Sequence, residues 1–405
     1  MNKRTAVIIG TSHAAAQLTI SLRQEGWDGD IVMIGDEPFW PYHRPPLSKT
    51  FLSGDKSIND LLIRPTALYD KQNIQFRQGL VTAIDRNQKK LTLLDGSTQH
   101  YDKLALCTGA RARKIDIPGS QLSGVHYLRN ISDVQGIQAH IGTAKNAVII
   151  GGGYIGLETA ASLKKQGISV VVLEVADRIL QRVTAPELST FYSRIHTEEG
   201  VKIYTGVTIK AIVGTTCVES VSCGQGMTFP ADLVVIGVGV IPNVELAIAA
   251  DIEVDNGIIV DDYCRTNDPN IVAAGDCTNH FNAHYNRRIR LESVPNASEQ
   301  AKSAAAMICG IEKAYHSLPW FWSDQYDLRL QIAGLSHGYD HLIIRGNIQE
   351  GRSFAAFYLQ KGHLIAADCV NRPQEFMLSK RIIEKKLTID PSLLANELMP
   401  VNLLL

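Results

Sequence analysis

Glycines with the spacing of a dinucleotide-binding turn are the residues of this sequence best suited to chemistry. Gly151, Gly153 and Gly156 follow an apolar run at 147–150 and form a GxGxxG pattern that encloses Tyr154 and Ile155. The first glycine permits a tight turn, the second lets a pyrophosphate approach, and the third lets a helix pack on a strand. The pattern predicts that a dinucleotide binds here, at the start of a helix.

An acidic residue indicates which dinucleotide this turn prefers. Glu174 ends the next apolar run, where its carboxylate can bind the ribose hydroxyls and repel a 2′-phosphate. We therefore expect NAD rather than NADP. Arg178 and Arg182 follow shortly afterwards, and they keep NADPH open as the alternative.

A second, weaker turn of the same kind lies near the amino terminus. Gly10 follows an apolar run at 6–9, but Ser12 stands where a second glycine is usual, and His13 and Ala14 come next. Serine is small enough for a pyrophosphate to approach. His13 is either a hydrogen-bond donor to phosphate or an ordinary residue at a helix start. Two dinucleotides held by one chain would allow electrons to pass from one to the other.

Other residues favour FAD as the dinucleotide of the amino-terminal turn. Asp36 or Glu37 takes the place of the ribose-binding acid, because the strand-end position itself is Gly35. Gly275 and Asp276 end a buried run, where the aspartate accepts from the ribityl chain of FAD or simply caps a helix. A further buried run at 104–106 leads into three residues that support FAD: Thr108, Gly109 and Arg111.

The composition is that of an ordinary globular protein rather than a nucleic-acid-binding or membrane protein. The chain has 405 residues, 45% of them hydrophobic and 20% charged, with a net charge of −1. No bulk charge favours nucleic acid, and the apolar runs are too short to span a membrane. We interpret the segment at 1–9 as a first strand rather than a signal peptide. Seven cysteines without CxxC spacing predict reduced thiols in a cytoplasm and no metal site.

The elements that must position these residues include two strand–turn–helix units. Strands are predicted at 6–9, 31–34, 104–109 (where the strand ends in a turn), 147–150, 170–174, 233–240 and 271–275, and helices at 14–25, 155–165 and 295–309. Antiparallel meanders are predicted at 75–94 and 201–230, and alternating strands of a further domain between 328 and 368.

Six stretches spread over nearly the whole chain are distinctive together. They are PYHRPPLSK at 41–49, GVGVIPN at 237–243, GD at 275–276, ESVPNA at 292–297, WFWSDQ at 320–325 and VNRP at 370–373. With them the sequence resembles the FAD-dependent ferredoxin reductases that serve class I cytochromes P450 and Rieske oxygenases, the putidaredoxin-reductase-like family. Ser12 and the displaced ribose acid depart from the pattern and affect individual FAD contacts.

The resemblance implies an α/β fold like that of glutathione reductase. It has two Rossmann-type FAD/NAD(P)-binding domains and a C-terminal α+β interface domain. We expect a discontinuous FAD domain at 1–112 and 245–316, an NAD domain at 113–244, and the interface domain at 317–405.

The resemblance also implies roles for residues outside the two turns. Arg44 and Lys49 are expected to contact FAD, with Lys49 near the isoalloxazine and paired with Glu158. Lys49 and Glu158 are therefore our candidate catalytic residues. Further expected contacts are Ser293, Val294 and Trp320 for FAD, and Val238 and Gly239 for NAD.

The implied activity is NADH-dependent reduction of a [2Fe-2S] ferredoxin. A hydride passes from NADH to FAD, and single electrons then reach the ferredoxin, which supplies a cytochrome P450 or a Rieske oxygenase. No cysteine precedes Cys107, so the redox thiols that disulfide reductases of this fold carry after the first βαβ unit are missing. Two alternatives stay open: a rubredoxin reductase, and an apoptosis-inducing-factor-like flavoprotein that acts by redox-dependent binding. A monomer or weak homodimer is expected.

The most basic run of the chain has two interpretations. Arg287, Arg288 and Arg290 form either a solvated loop or part of a docking face for an acidic ferredoxin.

Overall fold

The computed structural model describes residues 3–401 and divides into two compact units. The first unit comprises Met1–His43, Asn59–Arg111 and Ile241–Pro319, and the second comprises Arg44–Ile58, Ala112–Val240 and Trp320–Leu405. The three-domain division expected from the sequence stays a prediction. Its outer bounds at 1 and 405, and the start of the segment at 1–9, lie outside the described residues.

The secondary structure alternates strands with helices up to the last third of the chain. In the first part the strands are β1 Thr5–Ile9, β2 Asp30–Gly35, β3 Ile74–Gln78, β4 Val81–Asp85, β5 Lys90–Leu93, β6 Thr98–His100, β7 Lys103–Leu106, β8 Ala110–Ala112 and β9 Val125–Tyr127. The middle part contains β10 Asn146–Ile150, β11 Ser169–Leu173, β12 Lys202–Tyr204, β13 Ile209–Gly214, β14 Val218–Cys223, β15 Thr228–Pro230, β16 Leu233–Ile236 and β17 Val240–Pro242. The last part contains β18 Ile258–Val260, β19 Ile271–Ala273, β20 Thr278–Asn282, β21 Arg287–Ile289, β22 Trp320–Gln325, β23 Leu328–Gly334, β24 His341–Gly346, β25 Phe354–Gln360 and β26 His363–Val370. The helices are α1 His13–Gln24, α2 Thr66–Lys71, α3 Ile131–Ile141, α4 Tyr154–Lys165, α5 Pro186–Glu198, α6 Glu245–Ala249, α7 Val294–Ile308, α8 Pro373–Lys385 and α9 Pro391–Ala395.

The first unit is built on a five-stranded parallel sheet in the order β19-β7-β1-β2-β3. Its central strand β1 is buried from Ala6 to Ile9, as expected of a parallel strand covered on both faces. Helices α1 and α7 share one core cluster, in which Ala14 and Ala15 meet Ala301 and Ala304. These small side chains let the two helix backbones approach closely.

One strand of the first unit differs from the sequence prediction. The segment at 75–79 was predicted to open an antiparallel meander, but β3 pairs in parallel with β2 and completes the main sheet. The meander consists instead of β4, β5 and β6. The prediction was wrong because alternation shows that a segment is a strand and not which strand it pairs with.

The second unit contains a parallel sheet in the order β12-β11-β10-β16-β9 and a three-stranded antiparallel sheet of β13, β14 and β15. The predicted meander at 201–230 is therefore wrong at its start, because β12 pairs in parallel with β11. The predicted strand at 233–240 ends at Ile236, and the chain resumes as β17. The last part of the unit is a five-stranded sheet in the order β22-β23-β26-β25-β24, and α8 packs on it.

The structure bears on the cysteines, on membrane-spanning helices and on metal sites. All seven cysteines are free, and burial raises the pKa of the Cys107 and Cys264 thiols. No helix within residues 3–401 has the length and apolarity needed to cross a membrane. In the same residues, no group of three or more His, Cys, Asp or Glu side chains could hold a metal ion.

Candidate functional site

The glycine-rich turn of the second unit has the shape that its sequence predicts. Gly151 has a φ of +112°, and a Cβ there would lie 2.4 Å from the carbonyl oxygen of Gly237. A Cβ at Gly156 would lie 2.1 Å from the Gly151 carbonyl oxygen. At Gly153, by contrast, a Cβ would meet nothing within 4 Å. The first and third glycines are therefore required by packing, and the second leaves open space at the start of α4, where a pyrophosphate fits.

Glu174 lies directly after β11 with its carboxylate turned back to the glycine-rich turn. Its Oε2 accepts a hydrogen bond from the Gly152 amide at 2.6 Å, and its Oε1 accepts one from the Ala176 amide at 2.9 Å. A carboxylate has about four lone-pair positions, so both oxygens can still accept from ribose hydroxyls. The two amide bonds fix the carboxylate beside the glycine-rich turn, and its contact with NAD stays a prediction.

The two arginines that kept NADPH open differ in their surroundings. The guanidinium of Arg178 donates to the Thr184 carbonyl at 3.0 Å, to the Ser189 hydroxyl at 2.6 Å and to the Gln181 carbonyl at 3.1 Å. Arg178 therefore holds the loop after Glu174 together.

Arg182 is exposed, and a Cβ at Gly239 would lie 3.7 Å from its Nη2. Of the two arginines, Arg182 is the one that can meet a bound dinucleotide.

The remaining NAD candidates border the same turn. Ile155 is 47% exposed although it lies in the first turn of a helix, and Val238 and Gly239 follow β16. The ring of Tyr154 packs edge-on against Phe321 at 5.3 Å. The Tyr154 hydroxyl is buried, and it has no hydrogen-bond partner among residues 3–401. Such an orphaned donor is what a bound polar group or water would satisfy.

Lys49 and Glu158 form a buried ion pair in the second unit. The Lys49 Nζ donates to Glu158 Oε2 at 2.7 Å, with the side chains 18% and 3% exposed. Ser48 Oγ donates to the same oxygen at 2.6 Å, and Ser323 Oγ donates to Oε1 at 2.6 Å. Lys49 also donates to the Pro45 carbonyl at 3.2 Å. Each buried charge is therefore paired and hydrogen-bonded, which is the condition under which buried charges are tolerated.

The segment that carries Lys49 is fixed by two helices of the second unit. On α4, Ser162 Oγ donates to the Ser48 carbonyl at 2.7 Å, and on α3 Gln138 Nε2 donates to the Phe51 carbonyl at 2.6 Å. Arg44, a predicted FAD contact, donates to the Arg129 carbonyl at 2.9 Å. The sequence analysis gave no role to Ser48 or Ser323, and their place in two of the distinctive stretches was the available signal.

The amino-terminal turn has the same shape in the first unit. Gly10 has a φ of +117°, and a Cβ there would lie 2.1 Å from the Cys107 carbonyl oxygen. Ser12 is the extended residue that precedes α1, and His13 and Ala14 are the first residues of the helix, both buried. Gly275 lies close to this turn, since its Cβ would be 3.3 Å from the Ala14 Cβ. These residues fit the pyrophosphate end of a dinucleotide.

The alternative acids at the ribose position differ in exposure. Asp36 is exposed, whereas Glu37 is half-buried and accepts a hydrogen bond from the Tyr42 hydroxyl at 2.5 Å. Gly35 leaves no room for a side chain, because its Cβ would lie 2.3 Å from the Thr11 hydroxyl oxygen. This packing explains why the acid is displaced from the strand end.

The turn after β7 is held by a residue that the sequence analysis left without a role. Asn243 Nδ2 donates to the Thr108 carbonyl at 2.8 Å, and the Thr108 hydroxyl donates to the Asn243 carbonyl at 2.7 Å. The Asn243 amide donates to the Gly109 carbonyl at 2.9 Å, and Arg111 donates to Asn243 Oδ1 at 2.8 Å. Asn243 thus fixes all three FAD candidates at this turn.

The Gly275–Asp276 turn is fixed from α7. Gln300 is fully buried, and its Oε1 accepts from the Gly275 amide and from the Thr278 hydroxyl, each at 2.8 Å. Ser293 caps α7 by accepting from the Asn296 amide, and Val294 is the first helical residue.

Trp320 belongs to the second unit and is half-buried. Its ring lies 5.7 Å from the rings of Trp322 and Phe376, with Lys380 Nζ 5.3 Å from its centroid. The expected FAD contacts are thus distributed over both units. The first unit holds Gly10, Ser12, His13, Ala14, Asp36, Glu37, Thr108, Gly109, Arg111, Gly275, Asp276, Ser293 and Val294, and the second holds Arg44, Lys49 and Trp320.

The basic run is not a solvated loop. Arg287–Ile289 forms β21, and Arg288 donates to the carbonyls of Val260 and Asn279, both at 2.9 Å. Arg290 forms an ion pair with Glu292 at 2.6 Å. Arg288 is therefore occupied in joining strands, and the run is a strand rather than a loop. Arg287 and Arg288 are nevertheless exposed, and the docking interpretation stays a prediction.

Comparisons with known proteins agree with this geometry. A model of the pyridine nucleotide-disulphide oxidoreductase family matches residues 4–301, and a reductase C-terminal model matches residues 320–405. Putidaredoxin reductase CamA of Pseudomonas putida is 43% identical over 403 residues, which is 98% of this chain and 95% of that protein. The chain belongs to the putidaredoxin-reductase-like ferredoxin reductases. This confirms the family and the fold class expected from the sequence.

Further relatives of this reductase family are similar over the same span. The ferredoxin–NAD(P)⁺ reductase fdr of a Sphingomonas species is 41% identical over 391 residues, covering 96% of this chain and 94% of that protein. The covalent putidaredoxin reductase–putidaredoxin complex contains a chain with a TM-score of 0.96 at 42% identity, covering 99% of this chain and 98% of that chain. A rubredoxin–NAD⁺ reductase of Pseudomonas putida is more distant, at 35% identity over 370 residues, 91% of this chain and 96% of that protein.

Proposed function

We propose that this protein is an FAD-dependent NADH:ferredoxin oxidoreductase, which reduces a [2Fe-2S] ferredoxin that supplies a cytochrome P450 or a Rieske oxygenase. The observation that carries the proposal is the combination of two dinucleotide turns with full-length similarity to ferredoxin reductases. The missing cysteines before Cys107 exclude a thiol relay from that part of the chain. A cytoplasmic location suits the free thiols. We propose a monomer or weak homodimer, as the resemblance implies.

The protein's part in the reaction is to bind, orient and tune. Bound FAD supplies the chemistry that links a two-electron hydride donor to a one-electron acceptor. In our proposal, Lys49 provides a fixed positive charge to the flavin, and Glu158 holds the ammonium in place. The start of α7, after Ser293, adds the positive end of a helix dipole. No side chain is required to exchange a proton with NADH.

Selection of NADH follows from the fixed carboxylate of Glu174. A 2′-phosphate on the adenosine ribose would meet this charge, and Arg178 is committed to the loop carbonyls instead of a phosphate. The proposed reductase therefore uses NADH in preference to NADPH.

The test is an acceptor panel with the purified yellow protein. NADH oxidation is measured with several [2Fe-2S] ferredoxins, with rubredoxin and without acceptor. The proposal expects turnover with at least one ferredoxin that exceeds the rubredoxin rate. Faster turnover with rubredoxin would favour the rubredoxin reductase. Slow turnover with every acceptor and a long-lived reduced state would favour the binding flavoprotein.

A pair of lysine variants tests the site itself. Lys49→Met should lower the rate of flavin reduction by NADH by about tenfold or more, in line with the loss of one fixed electrostatic group. Lys302→Met removes a lysine paired with Glu299 at 2.6 Å on α7 and should leave that rate unchanged. Equal rates in both variants would contradict the role proposed for Lys49.

A further inference from the structure

A chain of buried hydrogen bonds ends on Glu158, and most of its members have been given no role in the function proposed above. Ser323 Oγ donates to Glu158 Oε1 at 2.6 Å, and Gln325 Nε2 donates to Ser323 Oγ at 3.2 Å. Gln325 Oε1 lies 2.9 Å from His196 Nε2, and the Tyr326 hydroxyl lies 2.9 Å from His196 Nδ1. Ser323, Gln325 and His196 are 1%, 2% and 0% exposed, so water has no access to the bonds among Glu158, Ser323, Gln325 and His196, whereas Tyr326 is half-buried.

The carboxylate fixes the direction of every bond in this chain. A carboxylate accepts only, so the single proton of the Ser323 hydroxyl goes to Glu158. The Ser323 oxygen must then accept, which places the amide nitrogen of Gln325 towards it and the amide oxygen towards His196. His196 can satisfy that oxygen only through an Nε2–H, which leaves Nδ1 to accept from Tyr326. Burial lowers the pKa of His196 to about 4, so the ring is neutral at physiological pH.

The chain does not carry protons. Gln325 stands in the middle of it, and a carboxamide has no titratable proton to pass on. What the chain can do is hold an orientation, because bonds that all point the same way reinforce one another in a dry interior.

The two oxygens of Glu158 are held by different parts of the second unit. Oε2 receives Ser48 and Lys49 from the 44–58 segment, and Oε1 receives only Ser323 from β22 among the contacts described. Without the bond at Oε1, the carboxylate could rotate, and the position of the Lys49 ammonium would no longer be fixed. His196 on α5 orients the Gln325 amide, and the Gln325 amide in turn orients the Ser323 hydroxyl that donates to Oε1.

We propose that His196 is a positioning residue for Glu158, acting as its Nε2–H tautomer through Gln325 and Ser323 to fix the Lys49 ammonium. The proposal rests on the proposed function in one respect only, namely that the fixed charge of Lys49 acts on a bound flavin. The hydrogen-bond chain and its effect on Lys49 are independent of what the protein reduces.

Two variants of the holoenzyme separate the effect of the His196 hydrogen-bond donor from the effect of its side-chain volume. His196→Leu removes the donor at similar volume, whereas in His196→Gln the amide nitrogen replaces Nε2–H. Lys49 acetylation by acetic anhydride is followed by mass spectrometry, with Lys302 as the internal reference. In His196→Leu the acetylation of Lys49 relative to Lys302 should rise by about tenfold, the equivalent of the net free energy of one lost hydrogen bond, and His196→Gln should restore it to within about threefold of the wild type.

A control variant, a substitute variant and an NMR measurement complete the test of His196. His126→Leu removes a histidine of the same unit that is not part of this hydrogen-bond chain. It should leave the acetylation of Lys49 relative to Lys302 unchanged. If His196→Leu does not fold, Ser323→Ala takes its place, with the same expected rise. In ¹⁵N-histidine NMR of the wild type, the signal that His196→Gln removes should show a neutral ring protonated at Nε2.

The proposal is overturned if that signal shows an Nδ1–H or charged ring, or if Lys49 reactivity in His196→Leu equals that of the wild type. Failure of the acceptor panel would leave both readouts unaffected, so the two proposals fail separately.

Discussion

The buried Lys49–Glu158 pair makes a prediction about stability that can be worked from the structure. Lys49→Met leaves a carboxylate that is 3% exposed without its cation, although Ser48 and Ser323 still donate to it. Glu158→Gln leaves an ammonium that is 18% exposed and keeps the Pro45 carbonyl. The double variant leaves no unpaired charge at all.

The magnitude follows from what breaking a buried pair costs. Removing one partner typically costs about 3–5 kcal/mol, and the remaining hydrogen bonds place both single variants near the lower end, at about 3 kcal/mol. Since the double variant contains no isolated charge, it should lose less than the two single losses added together. We expect a coupling free energy of about 2 kcal/mol or more.

The assay is urea unfolding of the four proteins, followed by circular dichroism and by tryptophan fluorescence. The two transitions must coincide before a single free energy is assigned. The Lys302–Glu299 pair is the matched control: it has a 2.6 Å separation, but its side chains are 39% and 42% exposed. Its cycle should give about 0.5 kcal/mol or less. A coupling at Lys49–Glu158 as small as in this control would refute the reasoning.

Four further substitutions have defined outcomes. Glu174→Ala should weaken NADH binding and raise the NADPH/NADH ratio of kcat/KM, measured by steady-state kinetics; unchanged selectivity would show that Glu174 does not read the ribose. Gly153→Ala should fold with wild-type urea stability but raise KM for NADH. Gly151→Ala should unfold at a lower urea concentration, because only the Cβ at position 151 lies against a carbonyl oxygen. Equal stabilities of the two variants would contradict this. Burial lowers the pKa of His280 to about 4, and the charge of Arg288 contributes a smaller part of this effect. Between about pH 6.5 and pH 4, His280 therefore binds a proton in the unfolded chain but not in the folded protein. The free energy of unfolding should therefore fall with decreasing pH by about 1.4 kcal/mol per pH unit from this residue, and His280→Gln should reduce the slope of the free energy of urea unfolding against pH by that amount.

The features that the sequence predicted well are those encoded by neighbouring residues. The glycines at 151, 153 and 156 lie within six residues of one another, and their spacing predicted the tight turn and the close packing of Gly156 on Gly151, whereas the contact of Gly151 with Gly237 is long-range. The position of Glu174 was predictable because a strand of fixed length places its end beside the turn, and its role toward NAD stays a prediction. The same holds for the order of strand, turn and helix around Gly10.

The features that were missed depend on distant partners. Ser48 and Ser323 reach Glu158 across 110 and 165 residues of sequence, and Asn243 reaches Thr108 across 135. No periodicity marks a serine or an asparagine as the partner of a buried group elsewhere. For the same reason, β3 was assigned to the wrong sheet, since its alternating residues are equally compatible with a parallel neighbour.

Stopped-flow double mixing tests the central claim most directly. The purified protein is first mixed with NADH while flavin absorbance is recorded, and then with a [2Fe-2S] ferredoxin whose reduction is followed at its own wavelength. Our account predicts rapid flavin bleaching by NADH, followed by stepwise reoxidation as two equivalents of ferredoxin are reduced. Bleaching that persists in the presence of every [2Fe-2S] ferredoxin tried would contradict it.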